Sequence, residues 1–365
     1  MKKAIFTLLS IILLLSCSTS KYKIEGSTQD AELNGQTVFI KERINRVWIS
    51  TDSIKIEHGR FVFEGVNDSA KIAYIYCELP SGEHIRQPFV FENGNIDIVI
   101  DSLGTLSIQG TPQNDLLQTY QNEKQRLYER ADTIYKTFSD STSKPEEKKK
   151  AEAEIEKLNK EEVAIDIKYS TENVNTIVGS FIFESSFYGM SIQDKETIIG
   201  LMNKETKTKG RIAEITEALQ IEKKTSTGQT YTDIQLTEIS GDTLALSSLI
   251  GKTDFVLIDF WASWCGPCMQ SLPDLKAFYE KYKGGKLEIL GVSLDDDETA
   301  WKTTVEKQQL KWKHISDLKG WKSAGAKLYA VNSIPATVLI NKQGVIEGRN
   351  LSLSQIELIF QKSTK

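Results

Sequence analysis

Residues 255–268 read FVLIDFWASWCGPC, an apolar run that passes directly into two cysteines separated by Gly266 and Pro267. The apolar run is typical of a buried β-strand, and residues 268–282 then favour a helix. A second apolar run follows at residues 287–292. Strand, helix and strand in this order form a βαβ unit, whose two strands pair in parallel. This stretch therefore predicts an α/β domain with the two cysteines at a strand-to-helix junction.

The elements that follow extend this domain to the end of the chain. Residues 336–347 alternate apolar and polar side chains on both sides of a Lys-Gln-Gly turn, which predicts an antiparallel hairpin. Residues 352–361 predict a last helix. A polar stretch at residues 223–230 separates the block from what precedes it. We therefore expect the α/β domain to cover residues 225–365.

The preceding residues show two different periodicities. Residues 22–111 alternate apolar and polar side chains between turns, which predicts an antiparallel β domain. We expect one hairpin around His58-Gly59 and a second around Asn93-Gly94, a pair that favours a type I′ turn. Residues 112–222 change to helical spacing. Their predicted apolar face contains Leu116, Tyr120, Leu127, Ala131, Ile134 and Phe138. The sequence thus predicts a multidomain chain.

The N-terminus predicts export. Two lysines precede an apolar run at residues 4–15, which is about half as long as a membrane-spanning helix. We interpret residues 1–16 as a signal peptide. Its end, Leu-Leu-Ser-Cys at residues 14–17, resembles the lipobox of bacterial lipoproteins. That resemblance implies cleavage before Cys17 and acylation of this cysteine, with residues 17–21 as a lipid-anchored tether. The alternative is a plain secretory signal with an incidental cysteine.

Composition excludes several classes of function. The chain has 365 residues, 45 of them Lys or Arg against 50 Asp or Glu, and a net charge of −5. This balance gives no basic surface for nucleic acid. The four cysteines are too few for a disulfide framework. Cys77 shares the phase of an apolar strand, so we predict a buried small hydrophobe rather than a reactive thiol. The chain is therefore expected to be a soluble globular protein apart from its anchor.

The cysteine pair is the candidate for chemistry. Cys265 would start the helix and Cys268 would follow one turn later, close enough to form a disulfide. The N–H groups and dipole of the helix would stabilise a thiolate at Cys265, which then attacks a disulfide while Cys268 resolves the intermediate. Two alternatives are a structural disulfide and half of a zinc site. The zinc site would need a second pair of ligands, and the histidines, His58, His84 and His314, are isolated in sequence.

The stretch DFWASWCGPC at residues 259–268 resembles the active site of the thioredoxin superfamily, in particular the exported lipoproteins of the TlpA/ResA type. The resemblance covers about residues 225–365 and implies a thioredoxin-like fold. Within it, Pro273 resembles the proline that kinks the first helix, and Ile334-Pro335 resembles the cis-proline loop. The resemblance implies that this loop lies beside Cys265 and contacts the substrate. Residues 22–111 resemble an uncharacterised β domain that precedes such modules, which implies no activity.

The same resemblance assigns the remaining site residues. Asp259 resembles the buried carboxylate that exchanges a proton with the resolving thiol, and burial would raise its pKa. Its alternative is an ordinary carboxylate at a strand end. The family pattern has a glutamate three residues after the second cysteine, where this chain has Ser271, so we expect the acid–base role on Asp259. The predicted substrate-binding residues are Trp264, Gly266, Pro267, Ile334 and Pro335.

Other conspicuous residues favour structural roles. We predict packing roles for Trp48, Trp301, Trp312 and Trp321. Residues 295–297 are three consecutive aspartates that lack the spacing of a calcium loop, so one of them is expected to cap the helix that follows. We therefore expect no metal site. No nucleotide fingerprint such as G-x-G-x-x-G is evident, so no cofactor is expected either.

These observations predict an exported, membrane-anchored thiol-disulfide oxidoreductase that faces the periplasm, with the choice of inner or outer membrane left open. Gly266-Pro267 is the dipeptide of thioredoxin itself, which implies a reductase of disulfides in exported proteins. A membrane thiol donor would supply its electrons, and the resemblance adds cytochrome c maturation as one pathway. The alternatives are a partner-binding lipoprotein with a regulatory dithiol, and a disulfide isomerase or oxidase. A peroxidase ranks last, because the peroxiredoxin Pro-xxx-Thr-xx-Cys spacing is absent.

Overall fold

The computed structural model describes residues 21–44, 47–79, 81–139, 143–208 and 210–363. The predicted signal peptide, Cys17 and all but the last residue of the predicted tether lie outside these residues. The chain divides into two compact units, one reaching to Met190 and including Thr197–Thr206, the other formed by Ser191–Glu196 and Lys207–Lys365. Within the described ranges, no helix combines the length and apolar character needed to cross a membrane.

The first unit begins with a β-sandwich. Its strands are β1 (Tyr22–Thr28), β2 (Thr37–Ile44), β3 (Val47–Lys55), β4 (Arg60–Gly65), β5 (Lys71–Glu78), β6 (His84–Phe91), β7 (Gly94–Ile100) and β8 (Leu106–Gln109). They form two four-stranded sheets, in the orders β4-β1-β7-β8 and β3-β2-β5-β6. Alternate apolar side chains of both sheets meet in one core. The predicted β domain is confirmed, with one departure: β1 pairs with β7 in parallel. The two strands are far apart in sequence, so no tight turn sets their relative direction.

Both hairpins predicted in this domain are wrong. The turn at His58-Gly59 exists, with φ angles of 51° and 72° and two backbone hydrogen bonds between Glu57 and Arg60. However, β3 and β4 on its two sides belong to different sheets. The Asn93-Gly94 turn likewise connects β6 of one sheet to β7 of the other. Alternation of apolar and polar side chains shows only that a strand has one buried face. Two consecutive strands show the same alternation whether they pair as a hairpin in one sheet or belong to two facing sheets, so the pattern does not distinguish the two cases.

The helices that follow confirm the predicted helical region. They are α1 (Pro112–Ser139), α2 (Pro145–Glu172), α3 (Ile177–Ser186), α4 (Ile192–Leu201), α5 (Lys204–Lys207) and α6 (Gly210–Lys224). On the predicted face of α1, Leu127 is buried, whereas the side chain of Phe138 lies outside the described part of the chain. Lys124 is buried on α1 as well, because its ammonium group pairs with Glu162 at 2.6 Å and Asp166 at 2.9 Å. The predicted domain boundaries, at residues 22–111, 112–222 and 225–365, stay predictions.

The second unit contains the predicted α/β domain. Its strands are β9 (Gln235–Glu238), β10 (Thr243–Ala245), β11 (Phe255–Trp261), β12 (Leu287–Ser293), β13 (Lys313–Ser316), β14 (Ala336–Asn341) and β15 (Ile346–Arg349), and its helices are α7 (Gly266–Tyr282), α8 (Glu298–Lys307), α9 (Ala324–Leu328) and α10 (Leu353–Lys362). The seven-stranded sheet has the order β10-β9-β13-β12-β11-β14-β15. β11 and β12 pair in parallel across α7, and β14 and β15 form the predicted hairpin. Both predictions are confirmed.

The two faces of this sheet are covered by different helices. The ring of Phe255 stacks on Phe360 of α10 at 4.7 Å between centroids, and Phe360 in turn contacts Phe278 of α7. On the opposite face, Phe260 contacts Tyr329, which follows α9. Side chains alternate along a strand, so Asp259 lies on the same face as Phe255. The sheet therefore directs Asp259 toward the side covered by α7 and α10.

Candidate active site

The two cysteines of the CGPC sequence form a disulfide at the start of α7, with their Cα atoms 5.2 Å apart. Cys265 is the N-cap residue, and its Sγ accepts the backbone N–H of Cys268 at 3.2 Å. Pro267 fits the first helical turn because N–H groups there have no partner within the helix. Cys265 is 4% exposed and Cys268 2% exposed. The helix thus places one sulfur at its positive end, where it can act as a stabilised thiolate.

The loop before β14 lies beside this sulfur. Ile334-Pro335 is a cis peptide, and the carbonyl oxygen of Ile334 is 3.7 Å from the Sγ of Cys265. Ile334 is half-buried and Pro335 is exposed. The fold therefore brings together Cys265 and two predicted substrate-binding residues that lie far from it in sequence. The disulfide and this backbone segment therefore lie at the same edge of the domain.

The tryptophans near the cysteine pair differ from the prediction in their exposure. Trp264 is 52% exposed, and its ring centroid is 6.0 Å from that of Trp321, which is 39% exposed. The packing role predicted for Trp321 is therefore wrong, because the 3-10 turn at Gly320–Lys322 presents it at the surface beside Trp264. Trp301 and Trp312 are buried as predicted. Trp48, in the first unit, is exposed as well, at 36%, so the packing role predicted for it is also wrong.

Asp259 is a buried carboxyl group in the centre of the sheet. It is 5% exposed, and burial raises its pKa to about 7. The face of the sheet that carries it is covered by α7, whose buried stripe contains Cys268, Leu272 and Leu275. A carboxyl group with this pKa exchanges protons near neutral pH, as general acid–base catalysis requires.

Ser271 and Pro273 are both found on α7. Ser271 is exposed, and its hydroxyl donates to the carbonyl of Cys268 at 3.0 Å. This position therefore does not supply a buried acid–base group. Pro273 lies within the helix, as the resemblance implied.

Asp295 is a site residue that the sequence analysis missed. It is 1% exposed, and its carboxylate accepts the backbone N–H of Ser263 at 3.1 Å and the hydroxyl of Ser263 at 2.5 Å. It also accepts the hydroxyl of Ser293 at 2.7 Å. Its position in the sequence, just after a predicted parallel strand, could have identified it. The carboxyl ends of parallel strands meet at one edge of a sheet, which is also where Cys265 lies. Its neighbour Asp297 caps α8, which confirms the prediction that one of the three aspartates is a cap.

Cys77 takes no part in this site. It lies in the sandwich core of the first unit, fully buried and with a free thiol. Burial raises the pKa of this thiol to about 11, so it is protonated at neutral pH and unreactive. The prediction of a buried small hydrophobe is confirmed.

Comparison with known proteins matches the two ends of the chain separately. Residues 227–349 match the AhpC/TSA family, and residues 22–117 match a domain of unknown function, DUF4369. The thiol-disulfide oxidoreductase ResA of Bacillus cereus is 32% identical over 140 residues, which make up 38% of this chain and 78% of that protein. ResA of Oceanobacillus iheyensis is 34% identical over 124 residues, or 33% of this chain and 62% of that protein. Among solved structures, a thiol-disulfide oxidoreductase from Bacteroides fragilis is 29% identical, covers 37% of this chain and 99% of its own, and has a TM-score of 0.35.

Proposed function

Because this chain belongs to the family of ResA-type thiol-disulfide oxidoreductases, we propose that it is an exported, lipid-anchored reductase of protein disulfides. The chain is a thiol-disulfide oxidoreductase with a thioredoxin-like α/β domain at its C-terminus, preceded by a β-rich domain and helices. The reacting residues, the direction of electron flow, the substrates and the location are the parts that we propose.

The reaction begins with the pair reduced. The thiolate of Cys265 attacks one sulfur of a substrate disulfide, the substrate S–S bond breaks, and the departing sulfur leaves as a thiolate that takes a proton. A mixed disulfide then joins Cys265 to the substrate. Cys268 loses its proton and attacks the Sγ of Cys265, the mixed disulfide breaks, and the second substrate sulfur leaves as a thiolate that takes a proton from water. The substrate gains two electrons, and the cysteine pair ends as the disulfide seen in the structure.

Asp259 accepts the proton of Cys268 in the second step. Two observations support this role: its pKa of about 7 and its place on the sheet face covered by α7. A carboxylate whose pKa lies near the working pH is ionised often enough to take a proton and protonated often enough to return it. When a donor reduces the disulfide again, Asp259 returns the proton to Cys268.

The substrate is an exported protein whose disulfide reaches the exposed edge of the domain. Ile334 offers its backbone carbonyl beside Cys265, and Pro335, Trp264, Gly266 and Pro267 are exposed around the pair. An extended chain placed along Ile334-Pro335 brings its own disulfide onto Cys265. This open edge suits polypeptide substrates better than an enclosed pocket would.

The sequence of residues 1–17 supports the proposed location at a membrane. Cleavage before Cys17 and its acylation would hold the protein at a membrane facing the periplasm. An exported reductase has no access to cytosolic reductants, so a membrane protein with a thiol pair would return two electrons in each cycle. Cytochrome c maturation is one pathway that needs such a reductase.

The observation that carries the proposal is the Cys265–Cys268 disulfide at the start of α7, with the carbonyl of Ile334 beside the attacking sulfur. The test is the equilibrium reduction potential of this pair in the chain carrying Cys17→Ser, read by thiol alkylation across a dithiothreitol series. We expect a value near that of thioredoxin, about −270 mV. A value near that of strong oxidants such as DsbA, about −120 mV, would contradict the reductase assignment.

A further inference from the structure

Asp259, Gly291 and His314 form one row across three strands. The parallel registers pair Asp259 of β11 with Gly291 of β12, and Gly291 with His314 of β13. Partners in adjacent strands project from the same face of a sheet, and neighbouring strands are about 4.8 Å apart. Asp259 and His314 therefore share a face and are separated by a single residue that has no side chain.

The imidazole of His314 occupies the space above Gly291. Its Nδ1 lies 2.4 Å from the position that a Cβ atom on Gly291 would take, and the indole Nε1 of Trp261 lies 3.1 Å from the same point. No real Cβ atom fits at these distances, so glycine is required here for close approach. The ring of His314 thus extends across β12 toward the strand that carries Asp259, and two polar nitrogens converge over Gly291.

These nitrogens are buried without hydrogen-bond partners. His314 is 3% exposed, and neither of its ring nitrogens has a hydrogen-bond partner among the described residues. The same holds for Nε1 of Trp261, two residues along β11 from Asp259. Buried polar groups are almost always paired in folded proteins. Both nitrogens converge over Gly291, the residue that separates His314 from Asp259 in the row. The ionised carboxyl group of Asp259 is the acceptor in this row that they lack.

We propose that His314 is a positioning residue for Asp259: its ring N–H stabilises the carboxylate across Gly291 and so sets the pH at which Asp259 accepts the proton of Cys268. The inference rests on the proposed function and deepens it. The proton moves from the sulfur of Cys268 to a carboxylate oxygen of Asp259, and the imidazole neither gains nor loses one. Burial lowers the pKa of His314 to about 3, so the ring is neutral at working pH and carries a single N–H to donate.

The elements beside this row carry few buried titratable groups among the described residues. Those on α7, on β12 and just after β12 are Cys268, Tyr279 and Asp295. The hydroxyl of Tyr279 donates to Glu288 at 3.0 Å, and burial raises the pKa of Tyr279 to about 12, so it keeps its proton. Asp295 is already bonded to Ser263. The neighbouring β14 and α10 contribute neutral side chains, Thr337 and Phe360.

The test compares His314→Leu, which keeps bulk without polarity, with His314→Gln, which keeps a donor. The carboxyl titration of Asp259 is followed by ¹³C NMR in the reduced chain, beside the pH profile of single-turnover reduction of oxidised insulin. In His314→Leu we expect the Asp259 midpoint to rise by about one pH unit, which lowers the ionised fraction and so slows the resolving step about fivefold at pH 7. The pH profile should move in the same direction. His314→Gln should restore most of the shift, and His84→Leu in the first unit should change neither the midpoint nor the profile.

An unchanged Asp259 midpoint in folded His314→Leu would overturn the inference. If that variant does not fold, the same question is tested in the wild-type chain. The ring ¹⁵N signals of His314 should then shift with pH at the midpoint of the Asp259 titration. Signals that do not change with pH would refute the proposal. Failure of the proposed function is distinguishable, because a chain that reduces no disulfide at any pH still reports the two titrations.

Discussion

Ser263 donates both its backbone N–H and its hydroxyl to the carboxylate of Asp295, at 3.1 and 2.5 Å. Ser263 lies two residues before Cys265, and Asp295 lies just beyond β12. Asp295 also accepts a hydrogen bond from the hydroxyl of Ser293, at the end of β12. It therefore connects the sheet to the loop at residues 262–265, which precedes α7. The position of Cys265 and Trp264 therefore depends on a buried carboxylate from the loop that follows β12.

Asp295→Ala should loosen this loop. The change leaves the buried N–H of Ser263 without its acceptor, so we expect a loss of about 2 to 3 kcal/mol in the free energy of unfolding. Displacement of Cys265 should lower the second-order rate constant for a peptide disulfide by about tenfold or more. Asp297→Ala is the matched control, since it removes the cap of α8 at a cost of about 1 kcal/mol and should leave the rate constant unchanged. Equal rate constants in both variants would refute the positioning role of Asp295.

Asp259→Asn should stabilise the oxidised protein at neutral and alkaline pH. The folded pKa of about 7 lies above the unfolded value of 3.8, so the folded state binds more protons and wild-type stability falls as pH rises between these values. Asparagine removes this penalty, so the gain in the free energy of unfolding should begin near pH 4, level off above about pH 7, and reach about 4 kcal/mol at pH 8. Urea denaturation from pH 4 to pH 8 measures it. The exposed Asp274→Asn on α7 is the control, and a gain independent of pH would show that Asp259 is not the titrating group.

Cys268→Ser should trap the reaction at its first step. Cys265 retains its place at the helix N-terminus and attacks a disulfide, but no second thiol releases the product. We expect a stable mixed disulfide of one chain with one substrate, visible by mass spectrometry and lost on addition of dithiothreitol. Cys265→Ser should form no such adduct, because Cys268 lies in the buried stripe of α7 with Leu272 and Leu275 and not at the N-cap of the helix. Equal trapping by both variants would reverse the assigned order of the cysteines.

Trp321→Ala should weaken polypeptide binding without affecting the chemistry. Trp321 and Trp264 expose neighbouring rings beside Cys265, and an exposed aromatic pair next to a reactive group is an apolar contact surface for a partner. We expect KM for a disulfide-bonded protein to rise about fivefold, which corresponds to about 1 kcal/mol, with kcat unchanged. The rate with a small disulfide such as oxidised glutathione should stay the same. Trp48→Ala in the first unit is the control, and an unchanged KM would leave Trp321 without a role in binding.

Local patterns were sufficient for the elements of the α/β domain. The apolar runs of β11 and β12, the helix between them and the hairpin of β14 and β15 lie where periodicity and turn residues predict them. The hairpins of the β domain were mispredicted because alternation defines a buried face and carries no information on the partner strand. Trp321 was misassigned for a related reason, since its type favours burial on average and its exposure depends on one turn.

The sequence alone predicted the chemistry: CGPC after an apolar strand favours a redox pair at a helix N-terminus, because strand, turn and helix are all local in the chain. Tertiary structure decided which distant groups surround that pair. Ile334 reaches Cys265, Asp295 holds Ser263, and His314 lies across Gly291 from Asp259 only because the strand order of the sheet brings them together. Strand order results from the packing of the whole domain and is not written in any short stretch of residues, so these neighbours could be found only in the folded protein.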